Sequence, residues 1–248
     1  MDFYRQHIVF LTGAGISAES GIPTFRGKGG LWSNRDLATL ASASGFEENT
    51  AAALDFYNQL RQTIAASAPN SAHKAIAALE EWHDVTVITQ NVDDLHERAG
   101  SSRVIHFHGS LTQVTSSNSR LDAACIKDYP MTVPIKVGDK ADDGSQLRPA
   151  IVMFDEYVDM SLANKVAREA DVFVVVGTSL SISSAKALCR RPRADIPRYL
   201  INPDDVRSRL PGGFIWFQNV ATQGLDIFLK EVRAGFPLFS ANSANSAN

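Results

Sequence analysis

The chain has 248 residues, of which 44% are hydrophobic and 21% are charged, and its formal net charge is -3 at pH 7. This length suits one large domain, or one domain with a smaller inserted lobe, and the apolar content is sufficient for a substantial core. The near balance of charge and the shortness of the apolar runs argue against a nucleic-acid partner and a membrane span. The chain contains two cysteines and its N-terminus lacks a signal-peptide pattern, which together predict a cytoplasmic protein.

Six near-continuous apolar runs, rich in β-branched residues, predict strands that are buried on both faces. In chain order they are Ile8–Thr12, Val85–Thr89, Val104–Phe107, Ile151–Phe154, Val172–Gly177 and Tyr199–Asn202. Helix-like segments occur at Ser71–Trp82, Leu162–Ala170 and Leu225–Val232. The alternation predicts an α/β fold, a Rossmann-like doubly wound parallel sheet with helices on both faces.

Two segments interrupt this alternation, at about residues 28–66 and 112–148. The first predicts short helices and loops, and the second is polar and punctuated by Gly and Pro. We expect both to form a small lobe inserted into a single domain of residues 1–239. The Rossmann-like core would then comprise about 1–27, 67–111 and 149–239. The repeated Ser-Ala-Asn of residues 240–248 predicts a disordered tail.

A glycine-rich turn follows the first predicted strand. Residues Gly13–Ala18 have the spacing G-x-G-x-x-A, which lets the backbone approach a pyrophosphate at the start of a helix. The next residues, Ser20–Pro23, break the helical pattern and lead to Phe25 and Arg26. A nucleotide-binding turn followed at once by an aromatic ring and a guanidinium indicates that the nucleotide is consumed, not only held.

Polar side chains follow three further predicted strands, at the sheet edge where ligands bind in open α/β folds. Gln90, Asn91 and Asp93 come after the second strand, Gly177–Ser179 after the fifth, and Asn202 ends the last. Amides and carboxylates suit a ribose or a carboxamide, and small hydroxyls with exposed N–H groups suit a phosphate. An ordinary helix cap explains any one of these residues, but a cap needs only one polar side chain.

His106 and His108 alternate with apolar residues, so both lie on the same face of the third predicted strand. His108 adjoins Gly109 at the strand end, where an imidazole with a pKa of about 6.5 suits removal of a proton from a hydroxyl. A structural, hydrogen-bonded role is favoured for His106. A metal site is not predicted, because no acid or Cys lies nearby at ligand spacing.

Together these segments resemble the sirtuin family of NAD-dependent protein lysine deacylases, and their amino-acid sequence is most similar to the bacterial branch of that family. The ordered set covers about residues 8 to 230 and is far more specific than any single motif. The matching residues are Gly13–Ser17, Ser20–Arg26, Gly30–Trp32, Thr89–Asp93, His108–Leu111, Gly177–Ser179 and Asn202. The resemblance implies that an acyl group passes from lysine to ADP-ribose while nicotinamide is released.

The resemblance also implies a role for each matching residue. The residues expected to bind NAD, the co-substrate, are Gly13, Ala14, Gly15, Ser17, Ile22, Phe25, Gln90, Gly177, Thr178, Ser179, Asn202 and Ala221. The residues expected to carry the chemistry are His108 as general base, Asn91, Asp93 and Arg26. The residues expected to contact an acylated-lysine peptide or protein are Tyr57, Arg61, Val152 and Phe154.

Tyr57 and Arg61 bear on the acyl group that is removed. Relatives that remove succinyl groups carry a Tyr-x-x-Arg pair, whereas here the arginine falls one residue later, about 100° further round a helix. The long stem of Arg61 keeps a contact open, so desuccinylation stands beside deacetylation. An ordinary amphipathic helix face explains both residues equally well. Ala41 leaves room for a bulkier acyl chain.

Two features depart from the family pattern. The resemblance implies four zinc-binding cysteines, but Ser116 and Ser119 occupy the first pair of positions and only Cys125 remains in this region. Serine is a poor zinc ligand, so we predict no structural zinc and a lobe held by packing through residues 129–135. Asp155 stands where the family has glycine, beside the expected peptide groove, and adds a charge there.

Three alternatives remain open from the sequence. A conventional Rossmann oxidoreductase needs an acid about 20 residues after the glycines, at the end of a second strand, and no strand precedes Asp36. The altered groove at Asp155 leaves open an NAD glycohydrolase or an ADP-ribosyltransferase on the same fold. A non-catalytic NAD-binding module is the third alternative, although it has no need of a base at His108.

Overall fold

The computed structural model describes residues 5–25, 30–31, 35–118 and 122–233. Arg26, Trp32, Ser119 and the tail of residues 240–248 lie outside the described residues, so the expectations placed on them remain predictions.

The described strands and helices alternate only in part, because five helices follow the first strand and four strands follow one another from Val104 without an α-helix between them. The strands are β1 (His7–Thr12), β2 (Asp84–Thr89), β3 (Val104–His106), β4 (Gly109–Ser116), β5 (Lys127–Asp128), β6 (Leu147–Ile151), β7 (Val172–Val176), β8 (Arg198–Ile201) and β9 (Ile215–Phe217). The α-helices are α1 (Gly15–Ala18), α2 (Arg35–Leu40), α3 (Ala43–Glu48), α4 (Thr50–Ala66), α5 (Ser71–Ala78), α6 (Leu95–Arg98), α7 (Ser161–Arg168), α8 (Ser183–Leu188) and α9 (Ala221–Arg233).

Six strands form the central sheet in the order β3-β2-β1-β7-β8-β9, and every neighbouring pair is parallel. The strand order reverses between β1 and β7. Open α/β sheets bind ligands at such a switch point, outside the carboxyl ends of the strands. The α/β class and the parallel sheet are therefore confirmed.

Both faces of this sheet are covered, as a doubly wound fold requires. Along β1, Ile8 and Phe10 pack into a cluster with α5 and α9, whereas Val9 and Leu11 pack into a second cluster with α7 and α8. Every residue of Val172–Val176 has zero exposure. Burial on both faces is the reason that these strands are apolar without alternation.

A smaller antiparallel sheet, in the order β5-β4-β6, lies in the region assigned to the lobe. It shares one apolar cluster with α4, here called the lobe cluster. This cluster includes Leu54 and Ile64 of the helix and Leu111 and Val114 of β4. The two interrupting segments therefore pack against each other. The residue bounds proposed for core and lobe remain predictions.

Polar caps define where two lobe helices and helix α5 of the core begin. The side chain of Ser42 accepts a hydrogen bond from an N–H of α3, that of Asn49 from α4, and that of Asn70 from α5. The 17-residue helix α4 is longer than the short helices expected for this segment. Its length follows from an apolar face that the lobe cluster buries.

One strand prediction needs correction. The run Ile151–Phe154 is not a strand of the parallel sheet, because Leu147–Ile151 pairs antiparallel with β4 and residues 152–154 form a loop. The run is apolar because Ile151 and Met153 face the lobe cluster. The sequence analysis also missed β4 and β5 of the small sheet and β9, a three-residue edge strand. No helix in the described part of the chain has the length and apolar character needed to cross a bilayer.

Candidate active site

Two glycine turns meet at the switch point. The N–H of Gly13 donates to the carbonyl of Val176 at 3.0 Å, and the N–H of Gly15 donates to the carbonyl of Gly177 at 2.8 Å. A Cβ on Gly15 would lie 2.7 Å from the oxygen of Gly177, closer than real Cβ atoms come. Gly177 itself has a φ of +60°, in the left-handed region that favours glycine. The glycines thus let the start of α1 pack directly against the end of β7.

A cavity of about 840 Å³ opens beside these turns, within the range of small-molecule sites. Most of the site residues expected from the sequence line it. They are Gly13, Ala14, Gly15, Phe25, Tyr57, Gln90, Asn91, His108, Val152, Phe154, Gly177, Thr178, Ser179, Asn202 and Ala221. Ser17, Ile22, Asp93 and Arg61 are buried and are not part of its wall.

Ser17 and Asp93 lie behind Asn91 and orient it. The Nδ2 group of Asn91 donates to the hydroxyl of Ser17 at 3.1 Å, and that hydroxyl donates to the carboxylate of Asp93 at 3.0 Å. The Oδ1 atom of Asn91 is buried and has no hydrogen-bond partner among the described residues. An orphaned acceptor on the cavity wall suits the N–H group of a bound carboxamide, so these residues fit the nicotinamide end of NAD.

Buried histidines support this network, and the sequence analysis did not identify them. The ring of His73 approaches the Ser17 hydroxyl at 3.5 Å, and Nε2 of His96 lies 3.1 Å from Oγ1 of Thr12. Burial lowers the pKa of His73 to about 4, so the imidazole is neutral at pH 7. The available signal was weak, since His73 lies three residues before Ile76 on the apolar face of α5.

His108 is held as a neutral imidazole. Its Nδ1 atom lies 3.1 Å from the carbonyl oxygen of Gln90, so Nδ1 carries the proton and Nε2 keeps its lone pair. Burial lowers the pKa of His108, and the hydrogen bond to Gln90 offsets part of that effect. His106, in contrast, uses both ring nitrogens, toward the carbonyl of Asn91 at 3.0 Å and the carboxylate of Glu97 at 2.7 Å.

A second set of lining residues is organised around Thr178. The side-chain amide of Gln90 donates to its hydroxyl at 2.9 Å, and the side-chain amide of Asn202 donates to its carbonyl at 2.8 Å. These contacts join the ends of β2, β7 and β8. Hydroxyls and amides in this position fit the ribose and phosphate groups of a nucleotide.

The segment expected to pair with a substrate peptide is itself hydrogen-bonded. The N–H of Val152 donates to the carbonyl of His108 at 2.9 Å, and the N–H of Phe154 donates to the carbonyl of Ala41 at 3.0 Å. The N–H of Met153 donates to the carboxylate of Glu156 at 2.8 Å. These bonds fix the loop on the cavity wall, and the peptide contacts of Val152 and Phe154 stay a prediction.

Asp155 adopts the left-handed conformation that its position demands, with a φ of 69°. Aspartate tolerates this conformation better than most residues other than glycine. Its carboxylate accepts hydrogen bonds from the N–H of Ala43 at 2.9 Å and from the hydroxyl of Ser44 at 3.1 Å. The charge therefore caps the first turn of α3 at the edge of the cavity.

The structure places Arg61 away from the cavity wall, so the expected contact of Arg61 with the acyl group stays a prediction. Arg61 has zero exposure and does not line the cavity. Its guanidinium donates to the carbonyls of Val133 and Pro130, each at 2.7 Å, and to that of Leu111 at 3.2 Å. The helical rotation of one residue turns the side chain into the lobe, where backbone carbonyls hold it.

Ser116 occupies a position at which the family resemblance implies a zinc-binding cysteine. Its hydroxyl donates to the carboxylate of Asp143 at 2.5 Å and lies 2.6 Å from the hydroxyl of Ser145. The residues described include no group of three or more His, Cys, Asp or Glu side chains that could hold a metal. A lobe without zinc stays a prediction.

The fold and the site define a nucleotide-binding α/β protein of the Rossmann type, with a base and an amide on the wall of the cavity. Residues 13–184 match the Sir2 family, so the chain belongs to that family, the sirtuins, as its motifs predicted. It is 42% identical over 223 residues to an NAD-dependent protein deacylase of Bacteroides thetaiotaomicron, covering 89% of this chain and 95% of the relative. An NAD-dependent protein deacylase of Helicobacter pylori strain J99 is 44% identical over 207 residues, covering 83% and 86%.

Solved structures of this family have the same fold. A Sir2 homologue mutant in complex with ADP-ribose superimposes with a TM-score of 0.81 at 35% identity, covering 92% of each chain. A Sir2 homologue in complex with NAD gives 0.78 at 35% identity, covering 92% of this chain and 90% of the other. A Sir2 complex with a p53 peptide and NAD+ gives 0.70 at 26% identity, covering 92% and 94%.

Proposed function

We propose that this protein is an NAD-dependent protein lysine deacylase that transfers the acyl group from lysine to ADP-ribose and releases nicotinamide. The observation that carries the proposal is the position of His108. A neutral imidazole with a hydrogen-bonded Nδ1 lies on the same cavity wall as the glycine turns and Asn91. The names of the bacterial relatives and the NAD and ADP-ribose complexes of the family support the same activity.

Bound NAD would supply the electrophile, the ribose carbon that carries nicotinamide. The chain supplies binding and proton transfer. The turn Gly13–Gly15 and the side chains of Thr178 and Asn202 hold the nucleotide. Asn91, oriented by Ser17 and Asp93, pairs with the carboxamide.

His108 acts as the general base in this proposal. Since Nδ1 is bonded to the carbonyl of Gln90, Nε2 is the atom that takes a proton from a ribose hydroxyl. Arg26, which lies outside the described residues, is proposed to organise the phosphates. Tyr57 and the loop Val152–Phe154 are proposed to face the acylated lysine of a peptide or protein.

The apolar end of the cavity favours deacylation over the other activities of this fold. Ala41, Tyr57, Ile151 and Met153 line the cavity and belong to the lobe cluster. An NAD glycohydrolase needs no apolar channel beside the base, and a binding module needs no base. A cytoplasmic site of action is part of the proposal, supported by free thiols at Cys125 and Cys189.

The test is incubation with NAD and an acetyl-lysine peptide, followed by mass spectrometry of all products. Deacylation predicts deacetylated peptide, acetylated ADP-ribose and nicotinamide in equal amounts. Free ADP-ribose with an unchanged peptide would establish a glycohydrolase instead, a peptide that carries ADP-ribose would establish a transferase, and intact NAD would establish a binding module.

His108→Ala should lower kcat/KM for deacylation by about 10² to 10⁴-fold while NAD still binds, as measured by calorimetry. The control is His7→Ala, because His7 begins β1, at the end of the strand away from the cavity. Loss of NAD binding in the His108 variant would show that the residue is structural.

A further inference from the structure

His106 ends β3, and its imidazole ring lies between two oxygen atoms that accept hydrogen bonds. Its Nδ1 atom is 3.0 Å from the backbone carbonyl oxygen of Asn91, and its Nε2 atom is 2.7 Å from the carboxylate of Glu97 on α6. A neutral imidazole has one N–H group and would turn a lone pair toward one of these oxygens. Both contacts are satisfied together when both ring nitrogens carry a proton, so the geometry indicates an imidazolium.

The charges around His106 stabilise this cation. Burial by itself would lower the pKa of His106, but the hydrogen bond and the charge of Glu97 outweigh it, with help from the charge of Asp93, and the pKa is raised. His96 responds in the opposite sense, because burial lowers its pKa and the charges of His73 and His106 add to that effect. Of these three histidines, His106 is the one that its surroundings favour as a cation.

The backbone of Asn91 is held on both sides of its side chain. Its N–H donates to Oγ1 of Thr89 at 3.0 Å, and its carbonyl accepts the Nδ1–H group of His106. With both peptide groups fixed, the direction in which the side chain leaves the backbone is fixed as well. That side chain carries the buried Oδ1 atom that has no partner among the described residues. His106 therefore helps to set where this free acceptor points.

The charge of His106 reaches the side chain of Asn91 by a second route. Burial raises the pKa of Asp93, whereas its hydrogen bonds and the charge of His106 oppose that rise. An ionised Asp93 accepts hydrogen bonds only, so the hydroxyl of Ser17 donates to it and offers its lone pairs to Nδ2 of Asn91. This chain of bonds fixes the amide with Nδ2 toward Ser17 and leaves Oδ1 for a ligand.

We propose that the ion pair of His106 and Glu97 positions Asn91 to bind the nicotinamide carboxamide. His106 is a positioning residue in this proposal, because it acts through Asn91 and does not line the cavity. The inference rests on the role that the proposed function gives to Asn91. It does not depend on turnover of acylated lysine, so binding measurements test it.

Glu97→Gln is the main test, because it keeps the shape and an acceptor oxygen but removes the charge. The side chain of Glu97 is 41% exposed, so we expect the variant to fold. Nicotinamide is titrated by calorimetry into protein that is saturated with ADP-ribose. The affinity for nicotinamide should fall about 5- to 50-fold, while the affinity for ADP-ribose, which lacks the carboxamide, should change less than about twofold. Unchanged nicotinamide affinity, or an equal loss for both ligands, would overturn the inference.

Glu81→Gln is the matched control. It removes the same charge from an exposed position just before β2, whereas Asn91 follows the other end of that strand. Its nicotinamide affinity should stay within about twofold of the wild-type value. An equal loss in this control would assign the effect to net charge and contradict the role of the ion pair.

NMR of nitrogen-labelled histidine rings measures the number of ring protons directly, with each ring assigned by through-bond correlation to its backbone. At a pH of about 6.5, the usual histidine pKa, His106 should carry protons on both nitrogens in most molecules, whereas most His108 rings should be neutral. Glu97→Gln should lower the protonated fraction of His106. A neutral His106 in the wild-type protein at this pH would refute the proposed ion pair.

Asn91→Ala separates this inference from the proposed function. If Asn91→Ala binds nicotinamide as the wild type does, the role given to Asn91 fails and the inference fails with it. If Asn91→Ala loses nicotinamide while Glu97→Gln keeps the wild-type affinity, only the inference fails. A protein that gives the expected binding results but consumes no acetyl-lysine peptide would refute the deacylase function and still support the inference.

Discussion

His108, the proposed general base, shows how burial and one hydrogen bond set the charge and the tautomer of a single side chain. Burial disfavours the charged imidazolium, so the pKa of His108 lies below its usual value. The bond from Nδ1 to the carbonyl of Gln90 selects the tautomer whose Nε2 can accept a proton. The residue type was evident from the sequence, but its tautomer followed only from the neighbouring strand.

The pH dependence of kcat/KM should reflect this lowered pKa. The base form is the active form, so activity should be constant above the pKa of His108 and fall as the pH drops through it. Because the pKa is lowered, the acid limb should lie below about 6.5, the usual histidine value. Initial rates with an acetyl-lysine peptide across the pH range provide the measurement. An acid limb above pH 7 would contradict the assignment of His108 as the base.

At the scale of elements, the active site depends on two turns packed against each other. Gly15→Ala should weaken NAD binding at least about tenfold and lower the free energy of unfolding by about 1–3 kcal/mol. The cause is the added Cβ, which would lie 2.7 Å from the oxygen of Gly177 and push the turns after β1 and β7 apart. Calorimetry and urea denaturation measure the two effects.

Gly212→Ala is the matched control for this substitution. A Cβ at Gly212 has no heavy atom within 4 Å, so its effect on unfolding should stay within about 0.5 kcal/mol. Similar destabilisation in both variants would show that the lost free energy of unfolding comes from replacing any glycine by alanine and not from the contact between the turns.

A buried cation, Arg61, helps to join helix α4 to the rest of the lobe. Arg61→Leu should lower the free energy of unfolding by about 2–4 kcal/mol, because the carbonyls of Leu111, Pro130 and Val133 lose their donor. Gln62→Leu, at the exposed next position of the same helix, should change it by less than about 0.5 kcal/mol. Denaturant titration of both variants measures the difference. If the Arg61→Leu variant instead kept its stability and lost only the turnover of succinyl-lysine, Arg61 would be a residue that contacts the substrate.

At the scale of the whole molecule, we expect the lobe to be folded and stable without a bound metal. The hydroxyl of Ser116 bonds to Asp143 and the lobe cluster joins α4 to β4, so chain contacts hold the segments together. A zinc chelator should therefore change neither the melting temperature nor the deacylation rate. Elemental analysis should find well under one zinc per chain. Stoichiometric zinc, or melting that depends on the chelator, would show that other ligands bind a metal.

Much of the fold was predictable because its signals are local. Continuous apolar runs indicated five of the six strands of the central sheet, since a strand that is buried on both faces is apolar at successive positions. The run Ile151–Phe154 was misassigned, because an apolar run indicates burial without indicating which sheet or cluster covers it. The edge strand Ile215–Phe217 was too short to show a pattern.

The sequence by itself determined the family, the glycine turns and the polar residues at the strand ends, because residue identity and spacing carry that chemistry. Only the tertiary structure determined which partner each buried side chain meets. Arg61 turns to carbonyls some 70 positions away, and Ser17, which follows β1, joins Asn91 to Asp93, which follow β2. Asp155 caps a helix more than 100 residues earlier in the chain. Such contacts depend on packing between distant segments, and packing places the guanidinium of Arg61 among backbone carbonyls of the lobe.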